Sequence, residues 1–200
     1  IKRRGQDDLI PYTILRDDIP LHSIDAGIML NNDIAYIKIN RFAATTYEEM
    51  MEKVKSSLPV DIAVCAAAVS DYKPKINKIN KIKKDNNNLK LIQLEKNIDI
   101  LEFLGKSNIH RPKLVVGFSA ETENLIKNST KKLKQKYCDL IVANDVSNKD
   151  SGFNVDYNAV SIIDKKGLIN SIPKNKKSIV GNELAKIILD KFLIDNKNIN

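Results

Sequence analysis

The chain contains no tryptophan, two cysteines, seven glycines and six prolines among its 200 residues. Cys65 sits in an apolar run and Cys138 lies far downstream, so the sequence carries no disulfide framework, a pattern that suits a reducing compartment. The two histidines, His22 and His110, have no cysteine or carboxylate at metal-ligand spacing, which argues against a zinc site. None of the glycines forms a G-x-G-x-x-G or G-x-x-x-x-G-K pattern, so neither a dinucleotide fingerprint nor a P-loop is present. No order of Ser, His and Asp suggests a hydrolase triad. No apolar stretch approaches the roughly 20 residues of a membrane-spanning helix. The opening residues, Ile1 to Asp8, lack the apolar region of a signal peptide. The expectation is a soluble, cytoplasmic chain with no membrane partner.

What is present is ordinary for a globular protein: 42% apolar and 29% charged residues, with a net charge of +8. The length fits one large domain, or an ordinary domain with a short extra segment. The charge is uneven. Residues 1–58 hold 8 Lys/Arg against 9 Asp/Glu, whereas residues 59–200 hold 25 against 16. Four of the five arginines precede residue 42, and only three of the 22 asparagines precede residue 58. The lysines come without an accompanying set of aromatics and arginines for base stacking, so they read as solvated surface and not as a nucleic-acid interface. The composition break suggests two segments of different origin joined near residues 44–58.

Periodicity supplies the elements. Residues 9–15 and 34–40 are β-rich, the second alternating apolar and polar as a half-buried strand does. Thr45 and Thr46, followed by Glu48 and Glu49, read as the start of a helix that turns Met50, Met51 and Val54 inward and stops at Pro59. Residues 61–69 form a continuous apolar run typical of a strand covered on both faces. Residues 70–88, rich in Lys and Asn, read as a long loop. Residues 89–94, 113–118 and 139–143 read as strands, 158–164 and the turn at 165–167 as an edge hairpin or meander. Helices are expected from Asn97 as cap to about 105, over 121–136, and over 176–193 with Ile179, Leu184, Ile187, Ile188 and Phe192 on one side. The alternation predicts an α/β fold with a doubly wound, mostly parallel, Rossmann-like sheet, preceded by an irregular β-rich N-terminal segment. Ligands of such sheets sit beyond the carboxyl ends of strands, here just after Ala66, Phe118 and Ala143.

Those ends carry Ser70, Asp71, Tyr72 and Lys73; Ser119, Glu121 and Thr122; and Asn144, Asp145 and Ser147. Each group can bind a ligand or cap the next element. Lys132 and Lys136, four apart on one helix, can face a common anion. Lys81, Lys83 and Lys84 can join them around a polyphosphate; the plainer reading is a solvated lysine face. From the residues alone the chain is an α/β domain with a basic, phosphate-facing site.

Six collinear stretches carry a resemblance: AAAVSDYKP (66–74), KIKK (81–84), NIDIL (97–101), VGFSAET (116–122), KLKQK (132–136) and DLIVANDVS (139–147). Together, over about residues 48–193, the chain resembles phosphopantothenoylcysteine synthetase, the ligase half of a bifunctional coenzyme A enzyme. That resemblance implies ligation of 4′-phosphopantothenate with cysteine through an acyl-cytidylate, using CTP and Mg2+, in a homodimer. It assigns Asp71, Lys81, Ile98, Asp99, Ile100, Leu101, Phe118, Lys132 and Lys136 to the nucleotide. Lys81 is then also the catalytic cation, and Ala66, Ala67 and Asn144 lie near the substrate. Metal ligands are not identified. Ile98 stands where the family usually has proline.

Residues 1–47 match neither the glycine-rich opening nor the Asn-x-Ser-Ser-Gly segment of that family. They resemble part of a C-terminal processing peptidase, with RRGQDDLIPYTILRDDIPLHSIDA and DIAYIKINRFAATTYEEM as the similar stretches. The expected organisation is a peptidase-like segment over 1–47 and a nucleotide-binding domain over 48–200, incomplete on its N-terminal side. Ligation is expected to be impaired. The alternatives are a non-catalytic fusion acting as a nucleotide-binding or structural module and, more distantly, a peptidase fragment. Whether residues 34–40 replace the first strand of the sheet is left open.

Overall fold

The computed structural model describes residues 5, 11, 13, 22–31, 33–43, 45–67, 69–75, 92–106, 109–147 and 155–197. Their elements run β1 (Ile24–Leu30), β2 (Ile34–Ile39), α1 (Thr46–Ser57), β3 (Ile62–Cys65), β4 (Tyr72–Pro74), β5 (Leu94–Lys96) and α2 (Ile100–Lys106). There follow β6 (Leu114–Glu121), α3 (Leu125–Lys136), β7 (Leu140–Asp145), β8 (Tyr157–Asp164), β9 (Gly167–Lys176) and α4 (Lys177–Lys197). The expected strand over 9–15 and most of the 70–88 loop lie outside the described residues.

The main sheet has the order β3-β6-β7-β8-β9. It is parallel from β3 through β7 and antiparallel from β7 through β9. The reason lies in the connections. Helix α3 carries the chain back between β6 and β7, as parallel pairing requires. Between β8 and β9 there is only a tight turn, where Lys166 N donates to Asp164 Oδ1 at 2.7 Å and Gly167 takes φ +123°. Strand β6 shows why its sequence is a continuous apolar run. Val115 enters a core shared with Met51, Val54, Leu101, Leu104, Leu133 and Ile141, while Leu114 and Val116 enter another with Val142, Ile162, Ile172, Val180, Leu184 and Ile188. Each such side chain contributes about 1.5–3 kcal/mol on full burial, so the two cores together fix the sheet between α1–α3 and α4.

Several elements differ from expectation in bounds. The strand over 113–118 continues to Glu121, and the helix expected from 121 begins only at Leu125. Pairing decides this: β6 stays in register with β7 through Glu121↔Asp145, and Val146 N donates to Glu121 O at 3.0 Å. The strand expected at 89–94 is three residues, Leu94–Lys96, paired with β4 in a separate ribbon. Ile179 of α4 is exposed, not inward.

Residues 34–39 do not close the main sheet. They pair antiparallel with β1 in a two-stranded ribbon, and among the described residues β3 is bonded on one side only, to β6. Glu49 of α1 ties that ribbon down. Its Oε2 accepts Ser23 N at 2.9 Å and Ile24 N at 3.1 Å, and its Oε1 accepts Thr45 Oγ1 at 2.7 Å. Thr46 Oγ1 accepts Ala43 N and donates to Ser23 Oγ, both at 2.7 Å. Thr46 therefore fastens the ribbon to α1 and Thr45 orients Glu49 for the same purpose, while the N-cap position makes no side-chain cap bond.

Candidate functional site

The ends of the parallel strands lead to the predicted residues. After β3, Ala66, Ala67 and Asp71 are exposed. The turn at Ser70–Asp71 is stitched to residue 97: Asn97 N donates to Asp71 O and Asn97 Nδ2 donates to Ser70 O, both at 2.8 Å. Asn97 is thus an anchor and not the helix cap. The cap is Asp99, whose Oδ1 accepts Glu102 N at 2.8 Å and whose backbone carbonyl accepts Phe103 N at 2.8 Å.

The other carboxylate oxygen of Asp99 meets Lys136 of α3, Oδ2 to Nζ at 2.7 Å, with both side chains 16% exposed. Glu102 Oε2 lies 3.6 Å from the same ammonium, and Glu102 Oε1 is held by Lys106. Burial by itself disfavours the charged form of Asp99, but the bond from Lys136, the cap bond and the nearby Lys132 outweigh it, and its pKa is lowered. Lys136 mirrors this: burial opposes its charge, while Asp99, Glu102 and the field of Asp71 raise its pKa. Lys132 stands one turn away and takes no ion pair among the described residues.

Asp71, Asp99, Lys132 and Lys136 are therefore brought together. Other predicted residues are placed differently. Ile98 is exposed, whereas Ile100 and Leu101 are buried in the first core, so their side chains pack and only their backbone is free to meet a ligand. Phe118 is half-buried against the second core, under α4, while Asp99, Lys132 and Lys136 stand on α2 and α3 over the first. Asn144, at the end of β7 opposite Ala120, keeps a buried Oδ1 that accepts no hydrogen bond among the described residues. Asn97 Oδ1 is in the same condition. An unsatisfied buried acceptor costs about 1–3 kcal/mol, and a ligand bearing N–H or O–H groups is one means of meeting it. Lys81, Lys83 and Lys84 lie outside the described residues.

Two close approaches hold the cluster's scaffold. A Cβ at Gly105 would fall on the carbonyl oxygens of Lys136 and Tyr137, and one at Gly117 would strike Leu101. Beside them Arg111 donates to Gly105 O at 2.9 Å, Pro112 O at 2.8 Å, Tyr137 O at 3.0 Å and Asp139 Oδ2 at 2.9 Å. It is a clamp between α2, α3 and β7. The adjoining recess of about 550 Å3, lined by Leu133, Tyr137 and Lys165 among others, contains none of the predicted ligand residues.

Sequence reasoning missed Asn97 as an anchor and Glu102 as a second partner of Lys136. The Asn-x-Asp spacing offers two possible caps, and only the tertiary position of Ser70 decides between them. Glu102 carried a signal, being four residues before Lys106 on one helix face.

A sequence profile described as the DNA/pantothenate metabolism flavoprotein C-terminal domain matches residues 28–192. The chain belongs to that family. The match starts twenty residues before the expected boundary at 48, and includes β2 and the last three residues of β1. The coenzyme A biosynthesis bifunctional protein CoaBC of Borreliella burgdorferi is 38% identical over 145 residues, 72% of this chain and 36% of the relative. The CoaBC protein of Escherichia coli is 35% identical over 163 residues, 80% of this chain and 39% of the relative. The chain thus spans less than two fifths of the length of either relative. A crystal structure of the C-terminal domain of CoaBC superimposes with a TM-score of 0.55 at 32% identity, covering 74% of this chain and 63% of that one. The likeness extends to the α/β fold, and with the family match supports a phosphopantothenoylcysteine synthetase domain.

Proposed function

We propose that this chain binds a nucleoside triphosphate, CTP, as the nucleotide half of a ligase joining 4′-phosphopantothenate to cysteine in coenzyme A biosynthesis. The observation that carries this reading is the meeting of Asp71, Asp99, Lys132 and Lys136, four residues that the family resemblance assigns to the nucleotide. Lys132, which takes no ion pair among the described residues, binds phosphate oxygens as a point charge. Lys136, already held by Asp99, gives the anion a cation that needs little reorganisation. Asn144 Oδ1 at the end of β7, buried and without a hydrogen bond among the described residues, suits a donor group on the substrate side.

Charge developing on the reacting phosphate is to be met by Lys81. Among the described residues no group of three or more His, Cys, Asp or Glu is placed to hold a metal. Magnesium on this reading arrives with the triphosphate, which commonly supplies most of its ligands along with one or two carboxylates. The active species is a homodimer in the cytoplasm. Among the described residues no helix is long and apolar enough to cross a membrane.

Residues 1–200 alone are proposed to bind nucleotide without completing ligation, because no stretch of residues 1–47 resembles the family's glycine-rich and Asn-x-Ser-Ser-Gly segments. The test is calorimetric titration with CTP, UTP and ATP in magnesium, together with an assay for pyrophosphate release when phosphopantothenate and cysteine are added. Saturable binding that prefers CTP supports the reading. A folded chain that ignores all three nucleotides overturns it in favour of a structural module, and ligated product from the isolated chain refutes the second part.

A further inference from the structure

The ribbon formed by β4 and β5 has three residues in each strand. Two strands of that length are not stable alone, yet this ribbon has Asp71 just before it and the 98–101 segment just after it. It therefore needs an external support. The described residues offer one centre. Lys73, in the middle of β4 and in register with Glu95 of β5, reaches across to helix α1. Its ammonium lies 3.3 Å from Glu48 Oε1 and 3.6 Å from Glu95 Oε1, and 5.7 Å from the centroid of the Tyr47 ring. The lysine thus touches two carboxylates from different elements and an aromatic face. Among the described residues the ribbon's other bonds, such as Lys75 N to Gln93 O at 2.9 Å and those of Asn97, close it on itself or on its own turn.

We propose that Lys73 is a positioning residue of the nucleotide site: by bridging Glu48 of α1 and Glu95 of β5 it sets the place of Asp71 and of the 98–101 segment. The inference rests on the nucleotide reading and deepens it. Exposed ion pairs contribute little to global stability. Here the lysine is 37% exposed and its carboxylates 56% and 44%. Its loss is therefore expected in ligand affinity and local order, with the fold left intact. The local effect is amplified because, among the described residues, no other ion pair or side-chain hydrogen bond joins the ribbon to α1.

The experiment compares CTP–magnesium affinity, melting temperature and backbone amide exchange in the full chain and four variants. In Lys73→Ala the dissociation constant is expected to rise about tenfold, equivalent to about 1.4 kcal/mol. The melting temperature should stay within about 2 °C, and exchange at the Asn97 amide, bonded to Asp71 O, should quicken. Lys73→Arg, which keeps a bridging cation, should restore affinity to within about threefold. Glu48→Lys alone should weaken binding as Lys73→Ala does, and Glu48→Lys with Lys73→Glu should recover only part of the loss, because a carboxylate at position 73 restores the pair to α1 but opposes Glu95 across the ribbon. Wild-type affinity in Lys73→Ala, or no recovery in either the arginine or the reversed-charge variant, overturns the assignment. If the wild-type chain binds no nucleotide at all, the nucleotide reading falls first and this one with it; unchanged Asn97 exchange in Lys73→Ala would refute the tether independently of any ligand.

Discussion

The pair between Asp99 and Lys136 is the most heavily buried ion pair at the site, and its strength can be worked out from its geometry. Two unit charges 2.7 Å apart attract by about 6 kcal/mol at an effective dielectric constant of about 20. Withdrawing both groups to 16% exposure offsets most of that gain. A net coupling of about 2 kcal/mol remains, within the span of charge-assisted hydrogen bonds. The assay is a double-mutant cycle by urea denaturation with Asp99→Asn, Lys136→Gln and the pair. Asparagine is the right replacement, because its side-chain oxygen can keep the cap on Glu102 N while removing the charge.

Asp99→Asn should cost about 2 kcal/mol, and the double variant little more than either single one. The pH dependence has a defined sign. Asp99 has a lowered carboxyl pKa in the folded chain, so its stabilisation is present in full above the unfolded carboxylate pKa near 4. It fades as pH falls through the still lower folded value. The wild-type advantage over Asp99→Asn should therefore hold from pH 7 to about 5 and shrink below 4. Additive single-variant effects, or an advantage that grows on acidification, would refute the reasoning.

Two further outcomes follow from the packing. Gly105→Ala places a methyl group on backbone carbonyls at the joint of α2 and α3, where no flexible side chain can give way, and should cost at least about 2 kcal/mol in the same denaturation assay. The thiols are pushed up by burial first and by neighbouring negative charge second, Cys65 to about 11 and Cys138 to about 12. At pH 8 a thiol-specific disulfide reagent should thus leave both unmodified in the native chain over hours and titrate two per chain after unfolding; fast native labelling would contradict the burial.

The α/β alternation, the helix ending before Pro59 and the closing helix were legible because each is a local pattern with its own period. The β8–β9 pair was legible from its turn. Helix α3 starts later than the polar, helix-compatible residues 121–124 suggest, because strand pairing with β7 claims Glu121 first. The fate of residues 34–39 was not legible, since alternation marks a half-buried strand without naming its partner. At the site, Lys132 and Lys136 were readable from their spacing. The carboxylate that holds Lys136 was not, because it is reached across two helices. Phe118 shows the limit from the other side: a residue at the end of a parallel strand belongs to whichever face its position in the pleat selects, and here that is the core beneath α4.

The central claim is that the α2–α3 cluster receives the anionic end of a nucleotide. Its most direct test is CTP–magnesium titration of wild-type, Lys132→Ala and Lys131→Ala chains. Lys131 is the exposed neighbour on the same helix and controls for charge alone. The account predicts a loss of about tenfold or more in affinity for Lys132→Ala and less than about twofold for Lys131→Ala. Equal losses in the two variants would mean diffuse attraction to a basic surface and would contradict a built site.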